Sequence, residues 1–106
     1  MKDKLKRDKF RTARGGYSRL LELNCRLCNS LVVKYQKDGP GSIYRLYFDR
    51  IVYPEKLVGL EKFSLKDIPS LKCPKCKEIL GTPYIYKAEK RKCFRLYNGA
   101  LVKNKI

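Results

Sequence analysis

Two C-x2-C pairs, Cys25-Arg-Leu-Cys28 and Cys73-Pro-Lys-Cys76, stand 44 residues apart and use four of the five cysteines in the chain. No other pattern constrains the fold as much. A C-x2-C turn places two sulfurs on one side of a tight loop whose backbone N–H groups can point at them. Two such knuckles complete a tetrahedron around Zn²⁺, with bonds of about 2.3 Å. The chain has no His. That excludes Cys/His zinc fingers, H-E-x-x-H sites, and Ser-His-Asp or Cys-His catalysis. Four protein thiolates leave no open coordination position. Cys25, Cys28, Cys73 and Cys76 are therefore expected to hold one structural Zn²⁺ rather than a catalytic one. An iron site of rubredoxin type would use the same ligands.

A chain of 106 residues is one domain, or one domain with a tail. It buries about 60–65% of its unfolded surface, so a metal staple matters to stability. Four thiolates with Zn²⁺ leave a local charge of about −2. Arg26, Lys72, Lys75 and Lys77 flank the pairs, and part of their charge can neutralise the site.

Lys and Arg number 26 against 10 Asp and Glu, a formal charge of +16. So large an excess favours a polyanionic partner over a merely solubilising surface. The charge is uneven. Residues 1–20 carry net +6, residues 21–70 net +2 and residues 71–106 net +8. The first stretch has few apolar residues beyond Leu5 and Phe10. It reads as a basic arm over 1–20 that orders on a partner. Residues 21–106 are then the metal-binding β domain. Met1 to Arg14 is charged throughout and lacks the apolar core of a signal peptide. No apolar run approaches the about 18–20 residues of a spanning helix. The expectation is a cytoplasmic protein without membrane contact, in a compartment where cysteines bind metal before they form disulfides.

The two halves look alike. Leu31-Val32-Val33-Lys34-Tyr35, a turn at Asp38-Gly39-Pro40-Gly41 and Ile43-Tyr44-Arg45-Leu46-Tyr47 follow the first pair. Pro83-Tyr84-Ile85-Tyr86-Lys87, a turn at Glu89-Lys90-Arg91 and Cys93-Phe94-Arg95-Leu96-Tyr97 follow the second. Alternation supports strands. The predicted fold is mainly β, with two knuckle-plus-hairpin units clasped by one four-cysteine zinc site. Leu31, Val33 and Tyr35 share one face, as do Tyr44, Leu46, Phe48 and Val52. Arg45 with Tyr47, and Arg95 with Tyr97, fall on the opposite faces of their strands. Between the halves, Pro54–Ser70 is a connector. Ser64 and Asp67 could cap one helical turn, ended by Pro69. Leu57, Leu60, Phe63, Leu65 and Ile68 should fold the connector over a sheet edge.

The second half, C-P-K-C-K-E-I-L-G-T-P-Y-I-Y-K-A followed by L-Y-N-G-A-L-V, resembles the end of β-tent domains. Yippee proteins, the thalidomide-binding domain of cereblon and methionine sulfoxide reductase B belong to that group. The resemblance spans about residues 23–103, matches the four cysteines to the metal ligands and Leu80-Gly81 to a Leu-Gly pair, and implies hairpin sheets clasped by zinc. An extended zinc ribbon predicts the same ligands. The reductase's histidines are missing, and Leu96 falls where its catalytic cysteine would be. The cereblon cage of Trp residues has no counterpart, since the chain has no Trp.

These features point to a non-enzymatic zinc protein that binds nucleic acid, RNA before DNA, with the ribosome as one setting. No helix reads as long and amphipathic enough for a DNA groove. Lys4, Lys6, Arg7, Lys9, Arg11 and Arg14 on the arm, with Lys90, Arg91 and Lys92, are the expected phosphate contacts. Arg45, Tyr47, Arg95 and Tyr97 are the expected stacking face. The alternative is a β-tent recognition module taking a protein or small ligand in an aromatic pocket built from Tyr53, Tyr84 and Tyr86. Cys93, among basic residues, reads as a partly buried strand position before a reactive thiol.

Overall fold

The runs on either side of each cysteine pair form antiparallel strands, leucine-based before the pairs and rich in β-branched and aromatic residues after them. In the computed structural model, which describes residues 18–39 and 43–105, there are eight. They are β1 (Ser18–Cys25), β2 (Leu31–Asp38), β3 (Arg45–Tyr47), β4 (Ile51–Tyr53), β5 (Leu71–Lys72), β6 (Ile79–Tyr86), β7 (Arg91–Leu96) and β8 (Leu101–Lys105). They make two four-stranded sheets, ordered β4-β2-β1-β8 and β3-β7-β6-β5. Ser18, Arg19 and Leu20, assigned to the arm from sequence, begin β1 instead. The rest of the arm lies outside the described residues.

Each C-x2-C pair sits at the tip of a hairpin, β1–β2 for the first and β5–β6 for the second. From the sequence alone, each pair is expected to precede its hairpin, with the strand 31–35 paired to the strand 43–47; this pairing does not form. Both edges of β2 are taken, by β1 and β4, so β3 crosses to the other sheet. There it pairs with β7, in the register Arg45↔Arg95, Leu46↔Phe94, Tyr47↔Cys93. The two Arg-Leu-Tyr triplets that suggested equivalent strands thus lie on neighbours in one sheet. In return β8, from the second half, pairs with β1 in the first sheet. Each sheet therefore includes a strand from the other half of the chain.

The inner faces supply the core. Leu21, Leu23, Val33, Tyr35, Leu46, Phe48, Ile51, Leu80 and Phe94 are buried, with Phe48 edge-on to Phe94 at 4.8 Å between centroids. Leu46 and Phe94 point inward as the alternation predicted. On β2 the alternation is blurred, since Val32 and Gln36 are also buried. The Tyr47 N–H donates to the Tyr35 Oη (2.9 Å) and ties β3 to β2 across the sheets.

The connector holds three short 3₁₀ turns, Glu55–Leu57, Leu60–Lys62 and Leu65–Asp67. Leu57, Leu60 and Leu65 pack against the core and Ile68 joins it. Phe63, expected to pack with them, is 56% exposed. Ser64 precedes the last turn but makes no side-chain cap. Lys92 fastens the connector to β7: its Nζ donates to the carbonyls of Glu61 (3.1 Å) and Phe63 (2.7 Å). Among the described residues, no helix is long and apolar enough to cross a membrane.

Candidate metal centre and the outer face of the second sheet

The two cysteine turns share one backbone design. In the first, the Asn29 N–H donates to the Cys25 carbonyl (2.8 Å) and the Cys25 N–H to the Ser30 carbonyl (2.9 Å). In the second, Lys77 donates to Cys73 (3.0 Å) and Cys73 to Glu78 (2.9 Å). Asn29 and Lys77 take the left-handed conformation that closes each turn, with φ of 60° and 68°. The Leu27 N–H points at the Cys25 sulfur, at 3.4 Å. Local side chains tighten both turns: the Asn24 amide donates to the Asn29 carbonyl (3.0 Å), and the Lys77 ammonium to the Pro74 carbonyl (3.0 Å).

The four sulfurs converge. Cys25 Sγ lies 3.7 Å from Cys76 Sγ, Cys28 Sγ lies 3.4 Å from Cys73 Sγ, and all four fall within 4.8 Å of one another. A tetrahedral site with 2.3 Å metal–sulfur bonds has sulfur–sulfur edges of about 3.8 Å. The cluster is therefore the right size for one metal ion. These two contacts are crosswise, one sulfur from each turn, so an ion there would join the two sheets. Cys25 and Cys73 are buried, Cys28 is half-buried and Cys76 is exposed.

The proton equilibria of the cluster are uneven. Hydrogen bonds from the Ser30 side chain and backbone pull the Cys28 thiol down to about 6. At Cys76 the backbone N–H of Glu78 pulls down, yet desolvation and the other three sulfurs together push the thiol up to about 12. Four thiolates at this spacing repel one another, and a bound cation is what lets all four ionise at neutral pH.

Beyond the cluster, the outer face of the second sheet is a lattice of Arg and Tyr. The Arg91 guanidinium lies 3.8 Å over the Tyr47 ring, Arg45 lies 3.9 Å over Tyr86, and Arg95 lies 5.7 Å from the Tyr84 centroid. The Arg45 Nε also donates to the Tyr47 hydroxyl (3.1 Å). Arg91 pairs with Asp49 (2.6 Å) and Glu89 (3.2 Å). Tyr47 and Arg91, expected to meet nucleic acid, are buried at 7% and 5% exposure. Their ring and charge are spent inside the protein. Lys92 is occupied by the connector carbonyls, and Arg45 is half-buried under its contacts. Lys90, Arg95 and Tyr97 are exposed as expected. Lys4, Lys6, Arg7, Lys9, Arg11 and Arg14 lie outside the described residues.

Cys93 sits beneath this lattice, opposite Tyr47 on one side and Tyr84 on the other, and is fully buried. Burial pushes its thiol up to about 11 against the pull of Arg45 and Arg91. A buried, protonated sulfur is a poor nucleophile.

Sequence reasoning missed the buried ion pair between Asp38 and Arg50 (2.9 Å). Nothing in local spacing marks it, since the partners stand twelve positions apart on different elements. The cage expected from Tyr53, Tyr84 and Tyr86 does not assemble. Tyr53 borders an apolar groove under the connector, while Tyr84 and Tyr86 belong to the Arg–Tyr face.

Comparisons with protein-family models, with curated proteins and with solved structures return no match. The structure defines a mainly β protein with a four-cysteine cluster able to hold one metal ion.

Proposed function

We propose that the protein is a non-enzymatic structural-zinc protein that binds nucleic acid, RNA in preference to DNA, with a ribonucleoprotein such as the ribosome as a natural setting. The crosswise convergence of four cysteine sulfurs from two hairpin tips carries this reading. Zinc suits it because four soft thiolates in a tetrahedron are its usual structural ligand set and leave no position for a substrate. The role in binding rests on charge. A net +16 on 106 residues exceeds anything a −2 metal centre could neutralise, and phosphate is the abundant polyanion that matches it. RNA is favoured because every described helix is a three-residue turn, too short for a DNA groove.

The test is a salt titration of RNA binding by the full zinc-loaded chain. The logarithm of affinity is expected to fall linearly with that of salt, by about 0.7 per phosphate contact on a single strand. Deleting residues 1–14 should weaken binding and flatten the slope. No binding at about 50 mM salt, or affinity unchanged at about 0.5 M, overturns the proposal.

One observation favours a second reading, a β-tent recognition module. A groove of about 460 Å³ runs between connector and sheets, lined by Val32, Tyr53, Leu57, Leu60, Ile68 and Phe94 among others. Its size falls within the range of small-ligand sites, about 300–1,000 Å³. A ligand there would bind with little salt dependence and be lost on Tyr53→Ala. Phosphate-driven binding shows the opposite pattern.

A further inference from the structure

The reading as an RNA-binding protein leaves open which surface meets the RNA, and two of the residues expected to do so are buried. One surface carries exposed rings beside an exposed arginine, Arg95. Tyr44 is 63% and Tyr97 53% exposed, and they flank the place where β3 begins beside the end of β7. Three shallow hollows meet there. The first, about 220 Å³, is bordered by Tyr44, Tyr97, Gly99 and Lys103. The second, about 340 Å³, lies among Tyr44, Arg45, Tyr84 and Arg95. The third, about 390 Å³, lies among Thr82, Arg95 and Tyr97. Leu96 and Asn98 border all three. The first and second share Tyr44, the first and third share Tyr97, and the second and third share Arg95. Among the described residues, none lining the hollows is acidic, while Arg45, Arg95 and Lys103 are basic.

The rings stand on a fixed frame. The Leu96 N–H donates to the Tyr44 carbonyl, and the Tyr97 N–H to the Leu80 carbonyl, both at 3.0 Å. The Ala100 N–H closes a turn on the Tyr97 carbonyl (3.0 Å), with Gly99 in the left-handed conformation at φ 73°. A side chain carried on paired strands and a closed turn loses less freedom on binding than one on a loose loop.

We propose that this surface binds a short unpaired stretch of RNA. Bases stack on Tyr44 and Tyr97, the Arg95 guanidinium lies between them against the backbone phosphate, and the Asn98 amide faces a base edge. The inference rests on the RNA-binding reading and assigns it a place. Exposed rings set between cations are what unpaired bases require, because every base offers a π-face and every linkage a negative charge. A duplex hides its base faces and would gain only the phosphate contacts. An acidic peptide would use the cations but not the rings.

The experiment measures fluorescence anisotropy of labelled RNA against the full zinc-loaded chain. The probes are a single strand of about ten nucleotides and a hairpin duplex of equal charge. Tyr44→Ala and Tyr97→Ala should each weaken single-strand binding about tenfold and leave the salt slope unchanged. Tyr44→Phe, which keeps the ring, should bind like the wild type. Arg95→Ala should lower the slope by about 0.7. Both tyrosines are exposed, so retained zinc and an unchanged circular dichroism spectrum will show that the variants fold. If the wild type binds RNA and both tyrosine variants bind equally well, the assigned surface is wrong while RNA binding stands. Equal affinity for strand and duplex also overturns the surface. If the wild type binds neither probe at low salt, both proposals fall.

Discussion

Asp38, at the end of β2, and Arg50, twelve positions on, form an ion pair almost wholly out of water, with Nε 2.9 Å from the carboxylate. Ser18 (2.7 Å) and Gln36 (2.9 Å) donate to the other carboxylate oxygen. The charge is thus satisfied by hydrogen bonds as well as by its partner, the condition under which a buried pair is tolerated. Removing one partner strands the other. Asp38→Ala should cost about 3–5 kcal/mol in urea unfolding, and a loss below about 1 kcal/mol would show that Arg50 finds water instead.

The same pair has a pH signature. Burial alone would raise the Asp38 pKa, but the hydrogen bonds from Ser18, Gln36 and Arg50 outweigh it and hold the carboxyl below its ordinary value. A depressed acid stabilises the fold fully above its unfolded pKa, near 3.9, and loses that contribution as pH falls through the folded value. The penalty of Asp38→Asn should therefore be constant between about pH 7 and 5 and shrink only below about 4. A penalty that already changes between pH 7 and 5 would assign the effect to another group.

Gly81 lies in the middle of the second sheet, paired with Leu71 and Leu96. A methyl group there would stand 2.8 Å from the Arg95 carbonyl oxygen and 3.2 Å from a Leu96 methyl. The first of these neighbours is backbone and cannot swing away. Gly81→Ala should destabilise by about 1–3 kcal/mol and shift the Arg95 amide resonance. An unchanged melting temperature would show that β6 and β7 can part without cost.

The Cys93 thiol should be silent. With its pKa near 11, its thiolate fraction at pH 8 is about a hundredfold below that of an ordinary cysteine. Iodoacetamide should leave it unmodified in the zinc-loaded chain and label it promptly in urea. Rapid labelling in the folded chain would restore thiol chemistry as a reading of this protein.

How much of this could be read beforehand follows from the range of each signal. The convergence of the four cysteines was readable because each C-x2-C turn is local chemistry and the missing His left no competing set. Inward Leu46 and Phe94 were readable because alternation is also local. The partner of β3 was not. Arg45-Leu46-Tyr47 has the same pattern whether it returns along β2 or crosses to β7, and the choice depends on β1 and β4 occupying the edges of β2. Tyr47 and Arg91 were misjudged for a related reason. An Arg or Tyr on an outer strand face reads as exposed until Asp49, forty-two positions from Arg91, turns out to be its partner. Asp38 and Arg50 carried no signal, since each is an ordinary polar residue until the fold brings them together.

Central to the proposed function is one zinc ion that would join the two sheets at Cys25, Cys28, Cys73 and Cys76. Metal content and fold should be measured together on the full chain, by native mass spectrometry and circular dichroism, before and after chelation and for Cys76→Ser. The account predicts one zinc per chain, with strand structure lost on chelation and in the variant, because structural zinc supplies about 10–16 kcal/mol to small domains. A chain that holds no metal and stays folded, or a Cys76→Ser protein that keeps its strands without zinc, would contradict it.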